Sequence, residues 1–121
     1  MEIYLNGNKK TGLLLLTVTR GVEIIDVNTI VRIEASSNYS RIYFADGQKL
    51  VSSKILKWFE THLPPQLFVR VHRKHLTNKK FICNYNHGNR RIFLSSGESI
   101  QVSRRKKEDF MRYWQNTSAI Q

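Results

Sequence analysis

This sequence of 121 residues has little cysteine, glycine or proline and no long apolar run. These shortages exclude internal disulfides, membrane-spanning helices and low-complexity repeats. Its single cysteine, Cys83, has no partner for a disulfide within the chain, and a cytoplasmic location is expected. The longest apolar stretch, residues 13–16 with Val18 after Thr17, is far shorter than the ~20 residues of a membrane helix. Six glycines and two prolines are too few for a collagen-like or low-complexity chain. We therefore expect one globular domain.

Acidic residues are also scarce, and this scarcity is the most informative property of the sequence. Nine Asp and Glu stand against twenty Lys and Arg, which leaves a net charge of +11 and a pI of about 10.2. Such an excess favours a polyanionic partner, with nucleic acid as the first candidate. Residues 1–60 have eight basic and six acidic side chains, whereas residues 61–121 have twelve and three. We expect the second half to provide most of the binding surface. Binding to a membrane surface is the weaker alternative, because it needs an amphipathic helix flanked by exposed aromatics.

Turn-forming residues recur every eight to twelve positions between short β-branched and aromatic runs, a spacing typical of a mostly β domain. Asp46-Gly47 is the strongest hairpin signal and predicts a type I′ turn. Residues 72–80 are polar, which predicts a loop or a short helix there rather than a central strand. The predicted strands are residues 13–19, 22–27, 30–35, 39–45, 48–51, 67–71, 81–85, 90–94 and 98–102.

Two short helices complete the predicted fold. Ser52 or Ser53 is placed to cap the first helix, which Pro64 and Pro65 end. The second helix has Ser103 as its N-cap and leads into a frayed tail at residues 115–121. Each helix has an apolar stripe that we expect to be buried, formed by Ile55, Leu56, Phe59 and Leu63 in the first and by Phe110, Met111 and Trp114 in the second.

Four consecutive cations follow Ser103 and are predicted to occupy the first turn of the second helix: Arg104, Arg105, Lys106 and Lys107. The helix dipole disfavours an exposed cation there by ~0.3–1 kcal/mol, so helix stability does not explain the run. The free N–H groups of a helix N-terminus bind phosphate, and surrounding cations strengthen such a site. We interpret the run as a contact to phosphates or bases rather than as a solvated charge run.

A second basic segment extends over residues 70–78. Val71 and Leu76 are expected to point inward, so the side chains that project are His72, Arg73, Lys74 and His75. Groups that bind ligands are commonly held in this way, on a connection between rigid elements. The alternative for His72 is a structural histidine hydrogen-bonded to the backbone.

The polar corner after residue 35 is the third candidate. Its side chains include Asn38, Tyr39 and Ser40. A plain turn stabilised by its own side chains is the interpretation that sequence alone favours, but short donors between two strands can also reach phosphates or base edges.

Neither metal binding nor catalysis is expected. His72 and His75 with Cys83 and His87 could supply four zinc ligands, but their spacing does not match the paired zinc-finger patterns. The sequence near them offers no acidic metal ligands, and it has no Gly-rich phosphate loop and no nucleophile motif. We therefore expect no metal, no cofactor and no enzymatic activity.

Three motifs in order give the sequence a familiar pattern. They are E-A-x-x-N-Y at residues 34–39, F-x-R-V-H-R at residues 68–73 with Asn78 following, and V-S-R at residues 102–104. With these motifs, residues 22–114 resemble the LytTR family of bacterial DNA-binding domains. The resemblance implies an elongated, mostly β fold of stacked small antiparallel sheets with one or two short helices. It also implies a transcriptional regulator whose loops enter successive major grooves of double-stranded DNA, at paired direct repeats near promoters.

Carried over by position, the contacts to bases and phosphates implied by the resemblance fall on the two basic segments and the polar corner already singled out. They are Asn38, Tyr39, Ser40, His72, Arg73, Lys74, Arg104 and Arg105, to which the charge run adds Lys106 and Lys107. The chain departs from the family at Lys74-His75, where Ser followed by an aromatic residue is more usual.

The resemblance divides the chain into an N-terminal extension or strand at residues 1–21, the DNA-binding domain at 22–114 and a C-terminal tail at 115–121. Family members that respond to signals carry a receiver domain before this module, whereas only about 21 residues precede the match here. We interpret the sequence as a stand-alone module or as a fragment of a larger regulator.

The expected partners are double-stranded DNA and, on DNA, a second copy of the chain, with no small-molecule substrate. One alternative is an RNA- or single-strand-binding module in which Tyr39, Tyr43 and Phe93 stack on unpaired bases. Another is a protein-interaction module in which the strand at residues 13–19 adds to a partner's sheet.

Overall fold

A computed structural model of the protein describes residues 12–118, with side chains described as far as Tyr113. Within this range three antiparallel sheets and two α-helices form a mostly β fold, which confirms the predicted fold class. No helix in the described range is long and apolar enough to cross a membrane. The elements are β1 (Leu13–Val18), β2 (Gly21–Asp26), β3 (Ile30–Ser36), β4 (Tyr39–Phe44), β5 (Lys49–Ser52), α1 (Leu56–His62), β6 (Phe68–His72), β7 (His75–Asn78), β8 (Ile82–Asn86), β9 (Arg91–Leu94), β10 (Ser99–Gln101) and α2 (Lys107–Ser118).

The central sheet has five strands in the order β5-β4-β3-β7-β6. β1 pairs only with β2 in the described range, and β8, β9 and β10 form the third sheet. The hairpin predicted at Asp46-Gly47 is present between β4 and β5, but its turn is not type I′. Only Gly47 has a positive φ, of 89°, and the Phe44 N–H donates to the Gln48 carbonyl across a three-residue loop.

β7 corrects the prediction of a loop or short helix at residues 72–80. It lies between β3 and β6, and its polar residues Thr77 and Asn78 are fully buried. The Asn78 side chain donates to the Ile30 carbonyl at 2.8 Å and accepts from the Lys80 N–H at 3.0 Å. A buried amide with both ends hydrogen-bonded is tolerated in a core, so the polarity of this segment does not exclude a central strand.

The two helices begin later than expected. Ile55, not a serine, precedes the first turn of α1, and its side chain is 61% exposed rather than buried. Ser52 is buried and accepts a hydrogen bond from the Lys54 N–H instead of capping the helix. Leu56, Phe59 and Leu63 are buried as predicted. α2 runs from Lys107 to Ser118, beyond the predicted start of the frayed tail at residue 115, and Phe110 is its buried anchor. The side chain of Trp114 lies outside the described residues.

Two hydrophobic cores lie on opposite faces of the five-stranded sheet. Leu76 pairs with Arg70 and Thr77 pairs with Val69, so neighbouring residues of β6 and β7 point to opposite faces. One face, with Leu76, packs against Phe59 of α1 and against the β1–β2 sheet. The other, with Val69, packs against the three-stranded sheet and α2. β6 is the edge strand between these layers.

Candidate nucleic-acid interface

The structure brings the three predicted segments to one end of the five-stranded sheet. The Ala35 N–H, next to the β3–β4 turn, donates to the Lys74 carbonyl in the β6–β7 turn at 2.9 Å. The Ser103 N–H, at the start of the basic run, donates to the Val71 carbonyl of β6 at 2.8 Å. Two backbone hydrogen bonds therefore place the β3–β4 turn, the β6–β7 turn and residues 103–106 next to one another.

The β6–β7 turn exposes Arg73 and Lys74. Behind them, Nδ1 of His72 lies 3.1 Å from the Lys74 N–H and accepts its hydrogen bond. Partial burial, reinforced by the nearby charges of Arg73, Lys74 and Arg70, lowers the pKa of His72. His72 is therefore the backbone-bonded histidine of the structural alternative. A neutral imidazole that accepts at Nδ1 carries its proton at Nε2, so one donor is still available to a ligand.

The basic run differs from its predicted position. Residues 104–106 form a turn before α2, in which the Ser103 hydroxyl accepts from the Lys106 N–H at 3.1 Å. Of the four cations only Lys107 lies in the helix, followed by Glu108 and Asp109 in the first turn. The prediction of four cations in a helical first turn is wrong, because the serine closes a separate turn. Arg104, Arg105 and Lys107 are exposed and Lys106 is half-buried.

A groove of about 650 Å³ runs along edge strand β6 and connects the two basic segments with α1. Its cationic lining residues are Lys57, Arg70, Arg73, Arg105 and Lys106, and Glu60 is the acidic residue among them. Lys57 of α1 was not predicted as a site residue. No local signal marks it, because an isolated lysine on an amphipathic helix is ordinary, and only the packing of α1 beside β6 brings it to the groove.

The corner between β3 and β4 is a two-residue turn in which Ser37 has a φ of 58°. Asn38 and Tyr39 are exposed at its tip, so both are available to a ligand. Ser40 is not: its side chain is fully buried and its hydroxyl donates to the Lys54 carbonyl at 2.7 Å. The structure therefore removes Ser40 from the predicted contacts and makes it a link between β4 and the segment before α1.

With this geometry established, comparison with known proteins gives a consistent result. The family of the LytTr DNA-binding domain matches residues 20–115. The chain belongs to this family. Among solved structures, the LytTr DNA-binding domain of a methyl-accepting/DNA response regulator from Bacillus cereus is similar, with a TM-score of 0.72 and 22% identity. The alignment covers 85% of this chain and 96% of that one, and at this identity it shows the fold. A search of curated proteins gives no match.

The resemblance inferred from the three motifs is thereby confirmed, and the partner that this family implies is DNA. Of the motif residues, Asn78 is fully buried and bonded to backbone, so its place in the motif is structural. The exposed motif residues Asn38, Tyr39, Arg73 and Arg104 lie at the end of the sheet where the basic segments meet.

The LytTr domain also has a charge cluster around the buried Arg32 that the sequence did not indicate. Arg32 of β3 donates to both carboxylate oxygens of Glu98, with the shortest contact at 2.7 Å, and to Glu34 at 2.9 Å. Hydrogen bonding from Arg32 lowers the pKa of Glu98. Glu98 lies just before β10, so this cluster ties the five-stranded sheet to the three-stranded sheet. The paired residues are 66 positions apart, and no local pattern predicts such a contact.

His75 was expected to project with Arg73 and Lys74, but it is half-buried. Its strand position is opposite Glu34, and its ring centroid is 5.5 Å from that of His72. Burial lowers the pKa of His75 to about 4, with Arg32, His72 and Lys74 acting in the same direction and Glu34 opposing it. His75 is therefore neutral near pH 7 and adds no charge to the basic end of the domain.

Proposed function

We propose that this LytTr domain recognises specific sequences of double-stranded DNA, with its basic end against the duplex. The observation that carries this proposal is the groove along β6 and the turns beside it, where cations from three elements converge. Within the described residues none of Lys57, Arg73, Lys74, Arg104 and Arg105 forms an ion pair. Lysines and arginines that have no carboxylate partner can neutralise the phosphates of a DNA duplex.

The proposed division of contacts follows from side-chain chemistry. Arginine has a planar fork that matches O6 and N7 of guanine in the major groove, so Arg73 and Arg104 at the tips of their turns are the proposed base readers. Lysine is a flexible point charge suited to phosphates. The proposed phosphate contacts are Lys57, Lys74, Arg105, Lys106 and Lys107.

The test is selection of bound sequences from a random duplex library, followed by competition. The selected duplex should displace a labelled probe better than a scrambled duplex, and far better than single-stranded DNA or RNA of equal length. Recovery of no preferred sequence, or preference for the single strand, contradicts the proposal.

The RNA-binding alternative requires accessible aromatic rings, and one of the three expected rings is covered. The Arg32 guanidinium lies 3.8 Å from the centroid of the Tyr43 ring, and the Lys49 ammonium lies 5.6 Å from it. Tyr39 and Phe93 are on different sheets. These side chains do not form one stacking platform of the kind that single-strand binders use.

A second proposed property is assembly on DNA. If loops of each domain enter successive major grooves at paired direct repeats, two domains assemble on one duplex while the free protein stays monomeric. The protein-interaction alternative has one supporting observation, because Val22 and Ile24 of β2 are exposed. Sedimentation of the protein alone and with a two-site duplex separates the two views, because the alternative predicts a stable complex without DNA.

A further inference from the structure

Arg70 differs from the other cations that line the groove, because its guanidinium is committed to contacts within the protein. Its Nε donates to the His72 carbonyl at 2.9 Å, one terminal nitrogen donates to the Arg73 carbonyl at 2.6 Å, and the other donates to a carboxylate oxygen of Glu60 at 2.7 Å. The side chain of Arg70 is 17% exposed.

The contacts of Arg70 connect a rigid element to a short turn. Glu60 lies on α1 next to Phe59, which is fully buried in the core, so the helix backbone at Glu60 is fixed by packing. The carbonyls of His72 and Arg73 belong to the β6–β7 turn, where the strand register shifts between Arg70 and His72. An irregular hairpin end leaves carbonyls without ladder partners, and the planar fork of an arginine can bind two of them at fixed spacing.

We propose that Arg70 and Glu60 are positioning residues for DNA reading: they hold the β6–β7 turn so that Arg73 and Lys74 project in one geometry. The inference rests on the proposed function. In this view Arg70 contacts no phosphate, although it is basic and lines the groove. A side chain that reads base edges loses discrimination when its backbone can shift, so the pair acts on specificity more than on total charge.

A positioning role for Arg70 and Glu60 and a purely electrostatic role predict different effects of Glu60→Ala on DNA binding. Replacing Glu60 by Ala removes a negative charge from a groove that faces DNA and frees the Arg70 charge. If Arg70 were only a phosphate contact, Glu60→Ala would therefore strengthen binding to every duplex. If the pair positions the turn, the same change lowers the ratio of affinities for selected and scrambled duplexes. Alanine is the best helix former, so α1 is expected to tolerate it.

The experiment measures binding of the wild-type protein and three variants to the duplex selected by the wild type and to a scrambled duplex of equal composition. In Glu60→Ala and Arg70→Lys we expect the affinity ratio to fall by about fivefold or more, the effect of a weakened base contact. Arg70→Lys keeps the charge but has no planar fork. Lys57→Ala is the matched control from the same helix and groove, and it should weaken both duplexes equally and leave the ratio unchanged.

Melting curves accompany the binding assays, because partial unfolding lowers the affinity for both duplexes by one factor and leaves their ratio intact. An unchanged ratio in both Glu60→Ala and Arg70→Lys overturns the inference, as does tighter binding of Glu60→Ala to both duplexes by the same factor. The proposed function fails separately, when the wild-type protein itself does not distinguish the two duplexes.

Discussion

Salt dependence is the most direct test of how the groove and its turns meet DNA. Five cations are proposed to bind phosphates, and within the described residues none of them forms an ion pair: Lys57, Lys74, Arg105, Lys106 and Lys107. Each neutralised phosphate releases about 0.9 counterions, so the logarithm of the binding constant should fall with the logarithm of salt at a slope of about −4 to −5 per bound domain. A rise from 50 to 200 mM salt then weakens binding about 250- to 1,000-fold.

Fluorescence anisotropy titrations of one labelled duplex at four or five salt concentrations give this slope. The Lys106→Ala and Lys57→Ala variants should each reduce its magnitude by roughly one unit. Lys49→Ala is the control, because Lys49 lies on the five-stranded sheet away from the groove, and it should leave the slope unchanged. Glu98→Gln is not a suitable control because it disturbs Arg32. A wild-type slope near zero would refute the electrostatic argument, and an unchanged slope in Lys57→Ala would remove α1 from the interface.

Three further predictions concern reading, stability and pH. Arg104→Ala should reduce the ratio of affinities for selected and scrambled duplexes, by an amount equivalent to at most ~3 kcal/mol for a bidentate base contact. Lys107→Ala should weaken binding to both duplexes equally and leave the melting temperature unchanged or slightly raised. The reverse pattern in the binding assays would exchange the roles of Arg104 and Lys107. Asn78→Ala leaves the buried Ile30 carbonyl without its donor and should destabilise the fold by about 2–3 kcal/mol in urea denaturation. The control Asn84→Ala, at an exposed position, should cost less than about 0.5 kcal/mol. Equal effects of the two substitutions would contradict the structural role of Asn78. The pKa of His75 falls from 6.5 to about 4 on folding, so the unfolded chain binds a proton that the folded protein does not, and stability is lost as the pH falls from 6.5 towards 4. Denaturation at pH 7 and pH 5 should show a smaller difference for His75→Gln than for the wild type, and an equal difference would be inconsistent with a buried neutral His75.

Local patterns were sufficient for most elements of the fold. The β-branched and aromatic run of β4 and the apolar spacing of Leu56, Phe59 and Leu63 depend on neighbours in sequence, and they predicted a strand and a helix face correctly. β7 was missed because Thr77 and Asn78 are polar yet buried, and the carbonyl that satisfies Asn78 belongs to Ile30 on another strand.

In the candidate site, too, features set by local sequence were predictable and features set by packing between elements were not. Exposed cations in a run, such as Arg73 with Lys74, are visible in the sequence, and the structure places them on a turn. The burial of Ser40 and the approach of Lys57 to the groove result from packing between elements, which local spacing does not encode. The start of α2 was misplaced because Ser103 closes a turn of its own before the helix begins.

The hydrogen bond from the Ser103 N–H to the Val71 carbonyl has a consequence for the DNA as well as for the protein. It attaches the turn that carries Arg104 to the end of β6, directly before the turn that carries Arg73, so the backbone at the two arginines is held at one spacing. A duplex that engages both must adopt a groove geometry that fits this spacing. The energy needed to bend or twist it depends on the base steps in between. Base pairs that no side chain contacts should therefore still influence affinity, through the stiffness of the DNA itself.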